Sequence, residues 1–171
     1  MSKSKDLNEL NNKEINEFHI PRWEELPNID LYLDQLVTLL EQYLEPYIGT
    51  KDGTIITKTM INNYVKQQII LAPEKKKYNK NHIALLFVVC VLKQIYSIND
   101  INELVKLAIK NKSIQFSYNS FCDELEKAVR LTFNQEDYSV EENLTYEKRL
   151  LKSVTLSFAH KLYVEKDFLN K

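Results

Sequence analysis

Ten consecutive apolar residues, IALLFVVCVL at 83–92, constrain this chain more than any other stretch. As a helix they reach only about half of a bilayer's ~30 Å hydrocarbon core, so the run is a core helix and not a membrane span. A helix that is apolar nearly all round has to be covered on every side, which makes it the central element of its domain. Asn79 stands ahead of it as an N-cap, the residue type that satisfies amide hydrogens left unpaired in a first turn. Around this run apolar residues recur with a helical period, and alternating stretches are almost missing. The 171 residues contain only two glycines and four prolines. The expectation is an all-α fold.

Residues 1–29 read as an N-terminal arm. It holds a candidate short helix through Leu7, Leu10 and Ile15, then the irregular HIPRWEELPNID, in which Pro21 and Pro27 bracket Trp23 as an anchor. Asp30 is the expected N-cap of a helix with Leu33, Leu36, Val37, Leu40, Leu44 and Tyr47 on one face. Gly49 and Gly53 break the chain as turn residues. Thr57 then caps a second helix, 58 to about 67. Its apolar side is Met60, Ile61, Tyr64 and Val65, and its polar side is Lys58, Asn62, Asn63 and Lys66. IILAPEKKKY is extended and turn-like, because Pro73 biases Ala72 away from helix. SIND at 97–100 has capping-box spacing, with Asp100 in place of Glu or Gln, and opens a helix bearing Ile101, Leu104, Val105 and Ala108. Further helices are expected at about 121–133 and about 144–168, the last with a stripe of Leu151, Val154, Phe158 and Leu162. They are separated by the acidic NQEDYSVEEN. The predicted organisation is the arm 1–29, a helix-turn-helix domain over 30–111, and a C-terminal helical region over 112–171 that completes the core or dimerises.

The chemistry of the chain narrows its function classes. Gly49 and Gly53 stand four residues apart with no Gly-Lys pair, which fits neither the P-loop nor the three-glycine Rossmann spacing, and no GxSxG nucleophile motif occurs. His19, His82 and His160 are scattered, with no Cys, His or carboxylate partner at a ligand spacing, so no metal is expected. The acidic pairs Glu24-Glu25, Glu136-Asp137 and Glu141-Glu142 are sequence neighbours, which do not face each other on a helix. The expectation is no enzyme and no cofactor. Cys90 and Cys122 read as buried thiols of a reducing cytoplasm. The opening MSKSKDLNEL has no apolar h-region, and a cytoplasmic protein without a membrane partner is expected.

Charge supplies the remaining candidate site. The formal net charge is −1, so no global field attracts a polyanion. Yet residues 51–80 carry seven lysines against Asp52 and Glu74, a net of +5, which leaves −6 for the rest of the chain. Helix, turn, helix, short basic loop and buried helix is the order of a winged helix-turn-helix. There the second helix enters the major groove and the loop after it straddles phosphates. Lys58, Asn62, Asn63 and Lys66 would face the groove, the two asparagines matching adenine N6 and N7. Lys75, Lys76, Lys77 and Lys80 would sit on backbone phosphates. The segment contains no arginine, so the commonest bidentate contact to guanine is missing.

MINNYVKQQII, APEKKKY, YNKNHIALL and YSINDINELVKL, in that order, resemble the DNA-binding domain of MerR-type regulators: the second helix, the wing, the Tyr with the third helix, and the final amphipathic helix. The resemblance covers about 56–108, and more loosely the helix at 31–47. Asn62 stands where that family has a basic residue, Asn63 replaces one of two tyrosines, and Gln68 takes the place of a helix-ending glycine. The metal-sensing cysteines have no counterpart, so the resemblance implies no metal response. PRWEELPNIDLYLDQL, TKTMINNYVKQ and KKKYNKNHIALLFVVCVLKQIYSINDI further resemble the domain-of-unknown-function 1836 family of Firmicutes. That resemblance implies a cytoplasmic helical protein with a MerR-like helix-turn-helix. Two readings follow. In the first the chain is a regulator that binds duplex DNA, dimerising through its last helix. In the second the helix-turn-helix has become a protein-interaction scaffold that no longer binds DNA.

Overall fold

A computed structural model describes residues 15–48, 54–139 and 141–169. The turn roles of Gly49 and Gly53, and the helix expected through Leu7 and Leu10, lie outside the described residues. The chain divides into two compact units. One comprises 21–120, the other the residues before 21 and after 120.

The 21–120 unit begins with a single 3-10 turn, Trp23–Glu25. A two-residue strand β1 (Leu31–Tyr32) leads directly into α1 (Leu33–Leu44). Next come α2 (Lys58–Lys66), strand β2 (Lys77–Tyr78), α3 (Lys80–Leu92) and α4 (Ile98–Ile109). The helix α5 (Ile114–Phe133) spans the boundary between units, and α6 (Tyr146–Asp167) belongs to the second.

The core matches the expectation drawn from 83–92. Nine residues of α3 are buried, including Ile83, Leu86 and Phe87 with no exposed surface. Burying each such side chain contributes on the order of 2 kcal/mol. Leu36, Leu40 and Leu44 line one face of α1 at i, i+4 and i+8, fully buried. The Tyr43 ring meets Phe87 edge-on at 5.9 Å, joining α1 to α3.

Local chemistry sets several helix starts. Thr57 Oγ1 accepts from the Met60 amide at 3.1 Å. Asn79 Oδ1 accepts from the amides of Asn81 and His82, at 3.0 and 3.3 Å. Ser97 Oγ accepts from the Asp100 amide at 3.2 Å and donates to the Asp100 carboxylate at 2.6 Å. Thr145 Oγ1 caps α6 through the Lys148 amide.

Three expectations need correction. The fold is mostly helical and not purely so: β1 and β2 pair antiparallel, Leu31 opposite Tyr78 and Tyr32 opposite Lys77. That pairing displaces the predicted cap at Asp30. With 31–32 held as strand, the helix starts two residues later, and Gln35 Oε1 accepts from the Tyr32 amide at 2.9 Å. Finally, α5 starts at Ile114 instead of 121, because Ser113 Oγ accepts from the Phe116 amide at 3.1 Å.

This early start gives the arm its seat. The Tyr118 hydroxyl donates to the Pro21 carbonyl at 2.7 Å, and the Trp23 amide donates to Asn119 Oδ1 at 2.8 Å. The Glu24 carboxylate accepts from Gln115 and Asn119, at 2.9 and 3.1 Å. A backbone hydrogen bond, then these two side chains, hold its carboxyl below the usual range. The arm is therefore anchored by polar bonds to α5, while the Trp23 ring itself is only half-buried.

In the second unit, Leu125, Ala128 and Val129 of α5 and Val154, Phe158 and Leu162 of α6 are buried. Tyr163 joins the helices edge-on against Phe133 at 5.2 Å. Thr155, buried within α6, donates its hydroxyl to the Leu151 carbonyl at 2.9 Å, which satisfies it within its own helix. Glu126 Oε1 accepts from the Ile20 amide at 3.0 Å and lies 2.9 Å from His19 Nδ1.

Candidate nucleic-acid interface

The site grows from α2. Ile61 and Tyr64 are its buried residues, and Met60 and Val65 are half-buried beside them. Burial pushes the Tyr64 hydroxyl up to about 12, so this side is a neutral, packed face. The opposite side is exposed along two adjacent rows, Lys58/Asn62/Lys66 and Thr59/Asn63/Gln67, each spaced i, i+4, i+8. Thr59 and Gln67 escaped the sequence reading, although the four-residue spacing from Asn63 marks both. Among the described residues, Asn62, Asn63 and Lys66 have no side-chain hydrogen bond or ion pair. Asparagine in a helix interior is about 0.6 kcal/mol less favourable than alanine. Two in succession, neither used within the fold, are a local cost without a local return.

The helix ends in a Schellman motif. Gln68 takes φ 57°, its amide donates to the Val65 carbonyl at 3.0 Å, and the Ile69 amide donates to the Tyr64 carbonyl at 2.9 Å. A left-handed residue here is what glycine supplies without strain, and this chain uses glutamine.

The basic loop is a β-hairpin. The Lys77 amide donates to the Glu74 carbonyl at 2.9 Å, and the two residues form an isolated antiparallel bridge. The central residues Lys75 and Lys76 take φ 49° and 64°, the signs of a type I′ turn. Such turns favour Asn-Gly, because a Cβ crowds the following carbonyl when φ is positive. Here two lysines occupy the tip, both exposed and without a side-chain partner among the described residues. The arm after the tip runs into β2, and so into its pairing with β1.

The start of α1 brings α2 and the hairpin together. Lys58 forms an ion pair with Asp34. Lys77 lies over the Tyr32 ring, 5.3 Å from its centroid. Tyr32 and Asp34 are two residues apart, so the first turn of α2 and the base of the hairpin flank one point. Lys80 is committed elsewhere: its ammonium donates to Asn28 Oδ1 at 2.8 Å and lies 5.5 Å from the Trp23 ring centroid, on the arm.

His82 locks the junction between the hairpin and α3. Its Nδ1 lies 3.0 Å from the Asn79 amide nitrogen and 2.8 Å from Asn79 Oδ1, and its Nε2 lies 3.1 Å from the Leu71 carbonyl oxygen. Burial lowers its pKa below the ordinary 6.5, opposed by the backbone hydrogen bonds to Leu71 and Ala72. Histidine is thus structural here, holding the segment at Leu71 that leads into the hairpin.

A shallow concavity of about 380 Å³ lined by Leu31, Asp34, Gln35 and Leu39 holds one ionisable group, Asp34, already paired with Lys58. Among the described residues no group of three or more His, Cys, Asp or Glu side chains can hold a metal ion, and no helix is long and apolar enough to cross a membrane. Cys90 and Cys122 are buried thiols outside any disulfide, and burial pushes the Cys90 thiol up to about 12, which leaves it an unreactive core residue.

No curated protein and no solved structure matches the chain. A family model described as a domain of unknown function, DUF1836, matches residues 21–121. Its limits fall within one residue of the unit that carries α2, the hairpin and the arm. The match spans more than half of the chain, which belongs to the DUF1836 family.

Proposed function

We propose that this protein binds duplex DNA as a transcriptional regulator, with α2 in the major groove and the 74–77 hairpin on the phosphate backbone, as in a MerR-like winged helix-turn-helix. The single observation that carries the reading is the pairing of two free surfaces in one unit. One is an exposed Lys/Asn face on α2, and the other is a strained hairpin tip presenting Lys75 and Lys76. The major groove admits one helix, and lysines act as point charges on phosphate. Among the described residues, Lys66, Lys75 and Lys76 of this surface have no side-chain partner, while Lys58 and Lys77 are exposed or half-exposed and weakly engaged. Lys80, held by Asn28, would contribute least.

Binding to a mixed-sequence duplex across a salt series tests this. Affinity should fall with log salt at a slope of about 0.9 per phosphate neutralised, and Lys75→Ala/Lys76→Ala should reduce that slope by about 2. A wild-type protein that shows no salt-dependent binding at low ionic strength ends the proposal. An unchanged slope in the double variant removes the hairpin from it.

A two-fold site is part of the same reading. The last helix exposes Tyr146 and Val164, and its C-cap Phe168 is exposed too, large apolar side chains suited to pairing with a second copy. Pairing would set two α2 helices on symmetric half-sites.

A further inference from the structure

The exposed face of α2 carries a particular hydrogen-bonding vocabulary. Its six residues are two lysines, three carboxamides and a threonine. No carboxylate is present to accept from cytosine N4 and no arginine to span guanine O6 and N7, and Lys66, which could also reach a guanine, stands at the last position of the helix. Lys58, the lysine nearest the start of the helix, is drawn to Asp34. What remains free at the centre of the face is Asn62 and Asn63, flanked by Thr59 one turn earlier and Gln67 one turn later.

A carboxamide matches one base edge in the major groove: its oxygen accepts from adenine N6–H while its N–H donates to adenine N7. A threonine methyl group packs on the thymine C5-methyl. From Thr59 to Gln67 the helix rises about 12 Å, the length of three to four base steps at roughly 3.4 Å each. We propose that this face reads A·T base pairs from the major groove, with Asn62 and Asn63 as the specificity-determining residues and Thr59 on a neighbouring thymine methyl. The inference rests on the duplex-binding reading above and deepens it. Two consecutive asparagines inside a nine-residue helix weaken that helix, and no side-chain partner among the described residues uses them. Base recognition gives both carboxamides a use that the fold does not.

The test compares wild-type binding to alternating dA·dT and dG·dC duplexes of equal length at one salt concentration, then to the dA·dT duplex carrying 7-deazaadenine. The modified base removes N7 from the major groove and leaves base pairing and the minor groove unchanged. The expected result is a preference of about tenfold for dA·dT, lost with 7-deazaadenine and lost in Asn62→Ala/Asn63→Ala. Alanine favours helix at both exposed positions, so the variant folds. Lys75→Ala/Lys76→Ala should weaken both duplexes equally and keep the preference. Equal binding to the two duplexes, a preference for dG·dC, or a preference that survives 7-deazaadenine overturns the inference while leaving duplex binding intact. Failure to bind either duplex at low salt overturns both.

Discussion

Gln68, Lys75 and Lys76 all hold positive φ within nine residues of one another, and none is glycine or asparagine. Each left-handed residue with a Cβ costs roughly 1–2 kcal/mol. Gln68→Gly should therefore stabilise the protein by about 1 kcal/mol, read as a higher urea midpoint at unchanged m-value. Lys75→Asn/Lys76→Gly should also stabilise it, again by about 1 kcal/mol, because Asn-Gly is the preferred type I′ pair. Under the proposed function the second substitution also weakens DNA binding, so stability and affinity move in opposite directions. A destabilised Asn-Gly variant would show that the lysines are not strained.

His82 makes a prediction about pH. Its folded pKa is depressed below 6.5, so the unfolded chain binds the proton more readily. Stability from this group is fully present above about pH 6.5 and declines as pH falls toward the folded value. A hydrogen on Nδ1 ends the bond donated by the Asn79 amide and leaves Asn79 Oδ1, 2.8 Å away, as its acceptor. His82→Gln preserves an acceptor for that amide and removes the titration. Urea midpoints measured between pH 7.5 and 5 should fall more steeply for wild type than for the variant; parallel slopes would count against the assignment.

Among the elements, α3 is the one most legible in advance. A run apolar on all sides can only be interior, and its cap at Asn79 lies one residue before the first turn. Thr57 and Ser97 were legible for the same reason, since a cap and the amide it satisfies are three residues apart. Asp30 looked equally suitable, yet the strand pairing of Leu31 with Tyr78 took the backbone that a helix start would have used. The Ser113 cap lay inside a polar stretch with no apolar period to point at it. Phe87→Ala, which removes the ring that Tyr43 and the interior of α3 pack against, should cost about 3–5 kcal/mol. Thermal or urea unfolding measures this directly, and a loss under 1 kcal/mol would mean that α3 is not the centre of the core.

At the scale of the molecule, charge and pairing matter most. A +5 segment within a chain of net −1 leaves an excess of acidic residues elsewhere, so attraction to a polyanion has to be local and short-ranged, strong only at low salt. If two copies join through α6, sedimentation should give a dimer, and Val164→Asp should shift it toward monomer by placing a charge in the contact. A wild-type monomer at tens of micromolar would remove the two-fold site from the proposal.

By itself the sequence determined the helical class, the buried position of α3, the capped starts of α2, α3 and α4, and the outward turn of Lys58, Asn62, Asn63 and Lys66. Each depends on residues within about four positions, and hydrophobic periodicity and capping chemistry act over that range. Tertiary structure decided the rest. Lys75 and Lys76 have no intrinsic preference for positive φ; they adopt it because β2 is drawn into register with β1 and the chain must reverse within two residues. The same pairing set Lys77 against Tyr32, close to the Lys58–Asp34 ion pair, while Asn28 and Trp23 drew Lys80 toward the arm. Which lysines stay free depends on the groups that the fold brings beside them, and those groups are distant in the chain.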